Sequence, residues 1–172
     1  MKKVKMMSFD TSSQASGWAY WENAQLTEHG VIDLKKMKDK EERLTLMCER
    51  LLQILNEKKP TIVIIEMTVV ENNAGTQRLL SEIVGVVRGW AMLNQLKGTP
   101  TEFVRLRPTE WRKLVRDEDE KVPKSKKDGL KEWDIQKANH LFRLQLEDDN
   151  EADAILVGFA RIKQFRNMEE DE

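Results

Sequence analysis

The chain has 172 residues, a length that fits one compact domain with a substantial core. Hydrophobic residues make up 40 % and charged residues 34 %, and the net charge of −1 argues against a general nucleic-acid binder. No apolar run approaches the roughly 18–20 residues of a membrane span, and the start lacks the pattern of a signal peptide. A single cysteine, Cys48, excludes an internal disulfide, so we expect a cytoplasmic protein without membrane association.

The first half of the chain predicts three strands, a helix and a fourth strand. Strands are predicted over residues 3–9, 18–22 and 26–34, with polar turns between them. Apolar spacing over residues 40–57 predicts an amphipathic helix, and the β-branched run at 61–66 is typical of a strand buried on both faces.

The second half alternates helix and strand and then ends in helices. Its predicted elements are a helix over 75–96, a strand over 101–107, a short helix from Pro108, a mobile charged loop over 116–127, and helices over 128–145 and 150–166. This order predicts an α/β fold in which a mixed sheet of about five strands, the first three antiparallel, is flanked by helices. We predict one domain over residues 1–166 and an acidic tail over 167–172.

Three acidic residues are candidates for a metal site. Asp10 and Glu66 end predicted strands, where ligands gather in α/β sheets, and an unpaired buried carboxylate is costly. Asp153 lies in the first turn of the last helix, between Ala152 and Ala154, whose small side chains permit close backbone approach. A helix cap or an ion pair would also explain each acid alone. Together they form an all-oxygen set, which favours Mg²⁺ or Mn²⁺ over zinc, in the form of two ions about 4 Å apart.

Four segments in a fixed order carry a family resemblance: FDTSSQASGWAYW, IVIIEMTVVENNAGTQRLLSEIVGVVRGWA, VRLRPTEWRKLV and NEADAILVGFA. They resemble the successive motifs of the RuvC-like Holliday-junction resolvases, which belong to the RNase H-like superfamily. The short chain is similar to the bacteriophage members, and the resemblance covers about residues 4–166.

The resemblance implies an RNase H-like fold and a homodimer that binds four-way DNA junctions. Such an enzyme nicks two strands symmetrically by metal-dependent phosphodiester hydrolysis. The metal ligands that the resemblance implies are Asp10, Glu66 and Asp153. Asn150 stands where relatives often have Asp or His, and Asp149 or Glu151 could replace it as the fourth ligand.

The resemblance also implies residues that contact DNA. Lys131 and Arg112 are similar in position to basic residues that contact the scissile phosphate, which makes Lys131 a candidate catalytic residue; both also fit plain surface cations. Where some relatives have an aromatic wedge after the second acid, this chain has Met67, Val69 and Val70. Weaker stacking there predicts cleavage of other branched DNA as well. The candidate DNA-binding residues are Arg105, Arg107, Arg112, Lys113, Lys124, Lys126, Lys127, Val69 and Val70.

Other interpretations compete with the resolvase. A sugar-kinase or actin-like ATPase needs a second copy of the fold, for which 172 residues leave no room. A branched-DNA-binding module that does not cut is supported by the neutral Asn150, and a nuclease for RNA or RNA–DNA hybrids would use the same metal chemistry. For the homodimer, the helix over 75–96 is the candidate interface, although its apolar stripe also fits a core position. The stripe consists of Ile83, Val84, Val87 and Trp90.

Overall fold

The computed structural model describes residues 4–67 and 73–170, so the predicted wedge residues Val69 and Val70 lie outside the described residues. Its strands are β1 (Lys5–Asp10), β2 (Ala15–Glu22), β3 (Gln25–Asp33), β4 (Ile62–Glu66) and β5 (Glu102–Leu106). Its helices are α1 (Lys40–Lys58), α2 (Ala74–Leu96), α3 (Pro108–Val115), α4 (Leu130–Phe142) and α5 (Asp149–Glu170), with a short 3₁₀ turn at Lys126–Asp128 before α4. Within the described ranges, no helix is long and apolar enough to cross a bilayer.

The five strands form one mixed sheet in the order β3-β2-β1-β4-β5. β1 and β3 are both antiparallel to β2, whereas β4 is parallel to β1 and β5 is parallel to β4. The predicted α/β fold, with five strands of which the first three are antiparallel, is therefore confirmed.

Helices cover both faces of this sheet, and each face has its own core. Because successive side chains of a strand point to opposite faces, Met7 and Phe9 of β1 pack with α1 and α2, whereas Met6 packs with α3, α4 and α5. The same alternation along β4 gives Val63 to the first core and Ile64 to the second. Residues at even positions of β1 and β4 therefore face α3, α4 and α5.

Helix ends follow local capping chemistry. The Asp39 side chain accepts hydrogen bonds from the first-turn backbone N–H groups of α1, and Lys59, in a left-handed conformation, ends that helix. Pro108 begins α3, and the carboxylate of Glu110 accepts the backbone N–H of Arg107 at 2.9 Å. The end of β5 is thus joined to α3 without an intervening loop.

The structure differs from the sequence-based expectations in two places. α5 continues to Glu170, whereas the sequence predicted the last helix to end at residue 166. The loop over 116–127, predicted to be mobile, is fastened to α4, because the buried Lys137 ammonium donates to Asp117 at 2.7 Å and to Glu120 at 2.6 Å.

The apolar stripe of α2 belongs mainly to the core. Ile83 and Val87 are fully buried, Trp90 is nearly so, and Val84 packs against the same core. The exposed apolar side chains of this helix lie at its C-terminal end instead. They are Met92, Leu93 and Leu96.

Candidate functional site

Asp10 and Glu66 lie side by side at one edge of the sheet. β1 and β4 run parallel, and their register pairs Phe9 with Ile65, so the next residue of each strand is one of the two acids. Both acids occupy even positions and face α3, α4 and α5. Glu66 is buried, whereas Asp10 keeps part of its surface exposed.

The first turns of α5 pack directly on these strands and bring a third acid, Asp153, to the same edge. Gly17 is paired with Asp10 across the β1–β2 ladder, and a Cβ at Gly17 would lie 1.8 Å from the backbone oxygen of Asn150. The hydroxyl of Ser8 donates to the carbonyl of Ala154 at 2.7 Å. Gly17 permits this approach because it has no Cβ.

Two consecutive residues of α3 tie the acids together. The indole N–H of the fully buried Trp111 donates to a Glu66 oxygen at 2.6 Å. The guanidinium of Arg112 donates two hydrogen bonds to Asp134 of α4, at 3.0 and 2.8 Å, and lies 3.6 Å from an oxygen of Asp153. It also stacks over the Trp111 ring, 4.2 Å from its centroid. α3 therefore holds carboxylates from β4, α4 and α5 at once.

Asp149, the first residue of α5, joins the cluster from the other side. Its carboxylate is paired with the ammonium of Lys131 on α4, and its charge adds to burial and to the charge of Glu66 in raising the pKa of Asp10. Lys131, the predicted catalytic lysine, therefore lies at the acidic cluster, although its ammonium is bound to a carboxylate.

Asn150 and Glu151, the other two candidates for a fourth ligand, have partners elsewhere. The Asn150 amide donates to Asp148 at 3.0 Å, and its backbone N–H donates to the same oxygen. Glu151 pairs with the ring of His29 on β3 at 2.6 Å. Of the three candidates, Asp149 is the one whose charge acts on Asp10.

Burial and mutual repulsion disfavour the charged forms of these carboxylates. Burial raises the pKa of Asp10 and of Asp153 well above the usual range, and the other carboxylates of the cluster raise both further. Burial also raises the pKa of Glu66 and of Asp134, although the hydrogen bond from Trp111 and the charge of Arg112 act in the opposite direction. Crowded, poorly hydrated carboxylates of this kind favour the binding of a cation.

The chemistry of the donor set fits a hard divalent cation. All the donors are carboxylate oxygens, and Oδ1 of Asp153 is buried without a hydrogen-bond donor. Among the described residues, no three Asp, Glu, His or Cys side chains already surround a single point that could hold a metal ion. Arg112 and Lys131 neutralise part of the cluster instead, so side chains would have to turn toward an incoming ion.

The predicted DNA-binding cations flank the cluster on two sides. Arg105 lines a groove of about 520 Å³ between α2 and the strand ends, which Glu66 also lines; Arg88, which the sequence did not single out, lines it as well. Lys126 and Lys127 lie in the 3₁₀ turn, and the charge of Lys126 offsets part of the rise that burial causes in the pKa of Glu66. Arg107 caps α3 beyond the end of β5, and Arg112, Lys113 and Lys124 line a second pocket between α3 and the loop that follows it.

Sequence reasoning missed three residues of this site: Asp134, Trp111 and His29. A signal for Asp134 existed, because it shares a buried helical face with Lys137 and Ala138, and a charged residue at such a position needs a partner. Trp111 gave no signal beyond core packing. The pairing of His29 with α5 joins residues far apart in the chain, and no local spacing predicts it.

Comparison with solved structures identifies the fold. T. thermophilus RuvC in complex with a Holliday junction substrate matches with a TM-score of 0.71 at 13 % identity, over 95 % of this chain and 96 % of that one. A second Thermus thermophilus RuvC structure matches with a TM-score of 0.69 at 14 % identity, over 96 % and 97 %. The yeast mitochondrial Holliday junction resolvase Ydc2 matches with a TM-score of 0.61 at 12 % identity, over 96 % of this chain and 84 % of that one.

The chain therefore has the α/β fold of the RuvC-type resolvases, as its motifs predicted. The likeness extends over nearly the full length of both chains. No protein-family model and no curated protein sequence matches this chain significantly. At such low identity the likeness establishes the fold, and arguments about activity depend on the residues of the site.

Proposed function

We propose that this protein is a divalent-metal-dependent endonuclease that resolves four-way DNA junctions, and other branched DNA, by symmetric paired nicks. The observation that carries the proposal is the cluster of carboxylates at the sheet edge of a RuvC-type fold, in which a buried oxygen of Asp153 has no donor. Such a cluster destabilises the fold, because each buried charge costs free energy unless a cation neutralises it.

Asp10, Glu66, Asp153 and Asp149 would hold the metal, with Asn150 as the alternative fourth ligand. Hard oxygen ligands select Mg²⁺, for which Mn²⁺ can substitute. A bound pair of such ions supplies Lewis-acid activation of water and neutralises charge on the leaving oxygen of the phosphodiester. The assignment of Asp149 is supported by its charge acting directly on Asp10.

The protein's own residues prepare this site for a polyanionic substrate. Trp111 orients the Glu66 carboxylate through its indole N–H, and the stacked Arg112 keeps Asp134 and Asp153 together. Lys131 lies next to the cluster, where its ammonium can move from Asp149 to a phosphate oxygen once the carboxylate binds a cation. The basic residues around the cluster then bind the DNA backbone on both sides of the cut.

A homodimer provides the symmetry that paired nicks require. The exposed apolar side chains at the C-terminal end of α2, with Met92 52 %, Leu93 56 % and Leu96 82 % exposed, support a protein partner there. We propose that this surface takes part in the dimer, and that the enzyme acts in the cytoplasm, that of the bacterial host if the chain is a phage protein.

The proposal is tested with a labelled synthetic four-way junction and a linear duplex of the same sequence. The wild type, Asp10→Asn and the control Asp119→Asn are incubated with Mg²⁺, with Mn²⁺ or with EDTA. Asp119 is an exposed loop aspartate, so its variant loses the same charge outside the cluster. We expect paired nicks near the junction with the wild type and the control, and none with Asp10→Asn or in EDTA.

The outcomes separate the competing functions. Junction binding without cleavage in either metal indicates a module that recognises branched DNA without cutting it. Faster cleavage of an RNA–DNA hybrid than of the junction indicates a nuclease for hybrids. Cleavage that persists in Asp10→Asn contradicts the assignment of the site.

A further inference from the structure

A buried hydroxyl joins the strand that carries Asp10 to the helix that carries Asp153. Ser8 precedes Asp10 by two residues on β1, so both side chains point to the same face of the sheet. The Ser8 side chain is fully buried, and its hydroxyl donates to the backbone carbonyl of Ala154 at 2.7 Å. Ala154 directly follows Asp153 in α5. The bond therefore links the two elements within two residues of each acid.

A second hydrogen bond fixes the direction of the first. The indole N–H of Trp21, on the neighbouring strand β2, donates to the Ser8 oxygen at 3.2 Å, which leaves this hydroxyl to donate its own proton elsewhere. Two carbonyl oxygens can accept that proton, Ala154 at 2.7 Å and Ala19 of β2 at 3.5 Å, and the shorter distance favours Ala154. The rings of Trp21 and Phe142 pack edge to face with centroids 5.4 Å apart, which holds the indole in place.

The glycine at position 158 lets α5 come close enough for this bond. A Cβ at Gly158 would lie 2.3 Å from the indole nitrogen of Trp21 and 2.5 Å from the Ser8 oxygen. Gly158 lies one helical turn after Ala154, so the two residues share the face of α5 that meets the sheet. A larger residue at this position would push the helix away from β1 and break the hydrogen bond.

The bond restricts where α5 lies along its own axis. Apolar contacts are not directional, so a helix held by them alone can slide along the sheet. An O–H···O hydrogen bond, by contrast, is confined to about 2.5–3.0 Å. A bonded hydroxyl adds little net stability, because folding exchanges its bonds to water for the internal one. Ser8 therefore contributes a defined position more than it contributes stability.

The axial position of α5 decides how far Asp153 lies from the other acids. Each residue of an α-helix spans about 1.5 Å of its axis, whereas the groups of a functional site must be held to within about 0.5 Å. The contact of Gly17 with the backbone of Asn150 limits how near α5 comes to the sheet, but a steric contact does not prevent sliding. The hydrogen bond of Ser8 opposes that movement.

We propose that Ser8 is a positioning residue, which through its bond to Ala154 sets the distance of the Asp153 carboxylate from the acids that end β1 and β4. Trp21 directs this bond. Both residues act through the backbone of α5 and contact neither the cation nor the substrate. The inference rests on the proposed function, because it is for a divalent cation that the acids are positioned.

The test measures the binding of Mn²⁺ to the full-length protein without DNA, from the free-ion signal in electron paramagnetic resonance. The variant Ser8→Ala removes the hydroxyl, and Trp21→Phe removes the donor that directs it. The control Thr61→Val also deletes a hydroxyl that donates to a backbone carbonyl, that of Lys5 at 3.1 Å. Thr61 precedes β4 at the end opposite Glu66, so its loss should leave the acids in place. Urea unfolding gives the stability of each variant.

We expect Ser8→Ala to raise the dissociation constant of Mn²⁺ about 10–100-fold, the usual effect of removing a group that orients metal ligands. Trp21→Phe should raise it by less, and the double variant should match Ser8→Ala, because Trp21 acts through the Ser8 hydroxyl. Thr61→Val should lose stability without a change in Mn²⁺ binding.

A purely structural role of Ser8 gives a different pattern. Ser8→Ala and Thr61→Val would then both lose stability and bind Mn²⁺ as the wild type does, which overturns the proposal. Additive effects of Ser8→Ala and Trp21→Phe on Mn²⁺ binding overturn the role of Trp21. If Ser8→Ala does not fold, Trp21→Phe decides the question, since unchanged Mn²⁺ binding in that variant also overturns the proposal.

The assay distinguishes this proposal from the function on which it rests. Mn²⁺ binding that is weakened in Ser8→Ala, without cleavage of a four-way junction by the wild type, contradicts the nuclease and supports the positioning role. Cleavage by the wild type, with equal Mn²⁺ binding in the wild type and Ser8→Ala, supports the nuclease and contradicts the positioning role. If the wild type binds no Mn²⁺, both are wrong.

Discussion

Replacing Asp153 with asparagine should stabilise the metal-free protein and remove its stabilisation by Mg²⁺. The Asp153 side chain is only 13 % exposed, its Oδ1 has no hydrogen-bond donor, and burial raises its pKa well above the usual range. Asparagine has the same shape without the charge, and its amide can donate to the neighbouring Asp134. The repulsion within the cluster is therefore relieved by a substitution that changes almost no packing.

The expected size follows from the cost of an unsatisfied buried polar group, about 1–3 kcal/mol. For a chain of this length, 1 kcal/mol changes Tm by about 2–4 °C, so the variant should melt roughly 2–12 °C higher in EDTA. Mg²⁺ at 100 times its dissociation constant should stabilise the wild type by about 2.7 kcal/mol and Asp153→Asn by far less. Addition of Mg²⁺ should therefore reduce the difference between the two melting temperatures or reverse its sign.

The pH dependence has a definite sign. Because the pKa of Asp153 is raised in the folded state, the folded chain keeps a proton that the unfolded chain releases between the ordinary pKa and the raised one. The contribution of this group to the free energy of unfolding has its largest value below the ordinary pKa. This contribution is lost as pH rises through the raised pKa. In EDTA, the advantage of Asp153→Asn should therefore grow with pH, whereas stabilisation of the wild type by Mg²⁺ should shrink as pH falls.

Differential scanning fluorimetry measures these melting temperatures and their dependence on Mg²⁺ and pH. The samples are the wild type, Asp153→Asn and the control Asp119→Asn, each with Mg²⁺ and with EDTA across a range of pH. The control removes an equal charge from an exposed loop and should leave both the melting temperature and the Mg²⁺ effect nearly unchanged. A lower melting temperature of Asp153→Asn in EDTA, together with an undiminished Mg²⁺ effect, would refute the reasoning.

Three further substitutions test contacts that hold the site. Trp111→Phe removes the donor to Glu66, so Mg²⁺ affinity measured from cleavage titrations should fall about 10–100-fold, with activity recovering at high Mg²⁺. Lys137→Met releases the loop from α4, so trypsin should cleave within residues 116–127 several-fold faster than in the wild type. Gly17→Ala forces a methyl group into the α5 backbone, which should cost about 1–3 kcal/mol in urea unfolding and reduce cleavage as well. Matched controls are Trp90→Phe, Lys59→Met and Gly89→Ala, respectively.

Each control removes the same group where the site is not involved. Trp90 donates its indole N–H to Asn56 in the opposite core, so its loss should change stability but not Mg²⁺ affinity. Lys59 is exposed and makes no contact with the loop, and a Cβ at Gly89 would meet nothing within 4 Å. The contact of Trp111 is contradicted if Trp111→Phe and Trp90→Phe change Mg²⁺ affinity equally. The contacts of Lys137 are contradicted if Lys137→Met and Lys59→Met change the rate of proteolysis equally. The close approach at Gly17 is contradicted if Gly17→Ala and Gly89→Ala change the free energy of unfolding equally.

Local sequence patterns predicted the strands and helices and singled out three acids. Strand and helix periods are local properties, and they predicted the five strands and the sheet that the structure contains. Asp10 and Glu66 stood out because each ends a buried strand, and Asp153 because alanines surround it in the first turn of a helix. Parallel strands end at the same edge of a sheet, so the topology predicts that Asp10 and Glu66 lie close together.

The contacts that hold these acids, and the groups that accompany them, come from the packing of separate elements. Trp111 contacts Glu66 across 45 positions of the chain, and Arg112 contacts Asp134 across 22. Lys137 likewise contacts Asp117 across 20 positions of the chain and so ties the loop after α3 to α4. Such contacts depend on the docking of separate elements, for which local spacing carries no signal. The physical reason is that chain periodicity fixes which face a residue occupies, whereas packing between elements fixes which residue it meets.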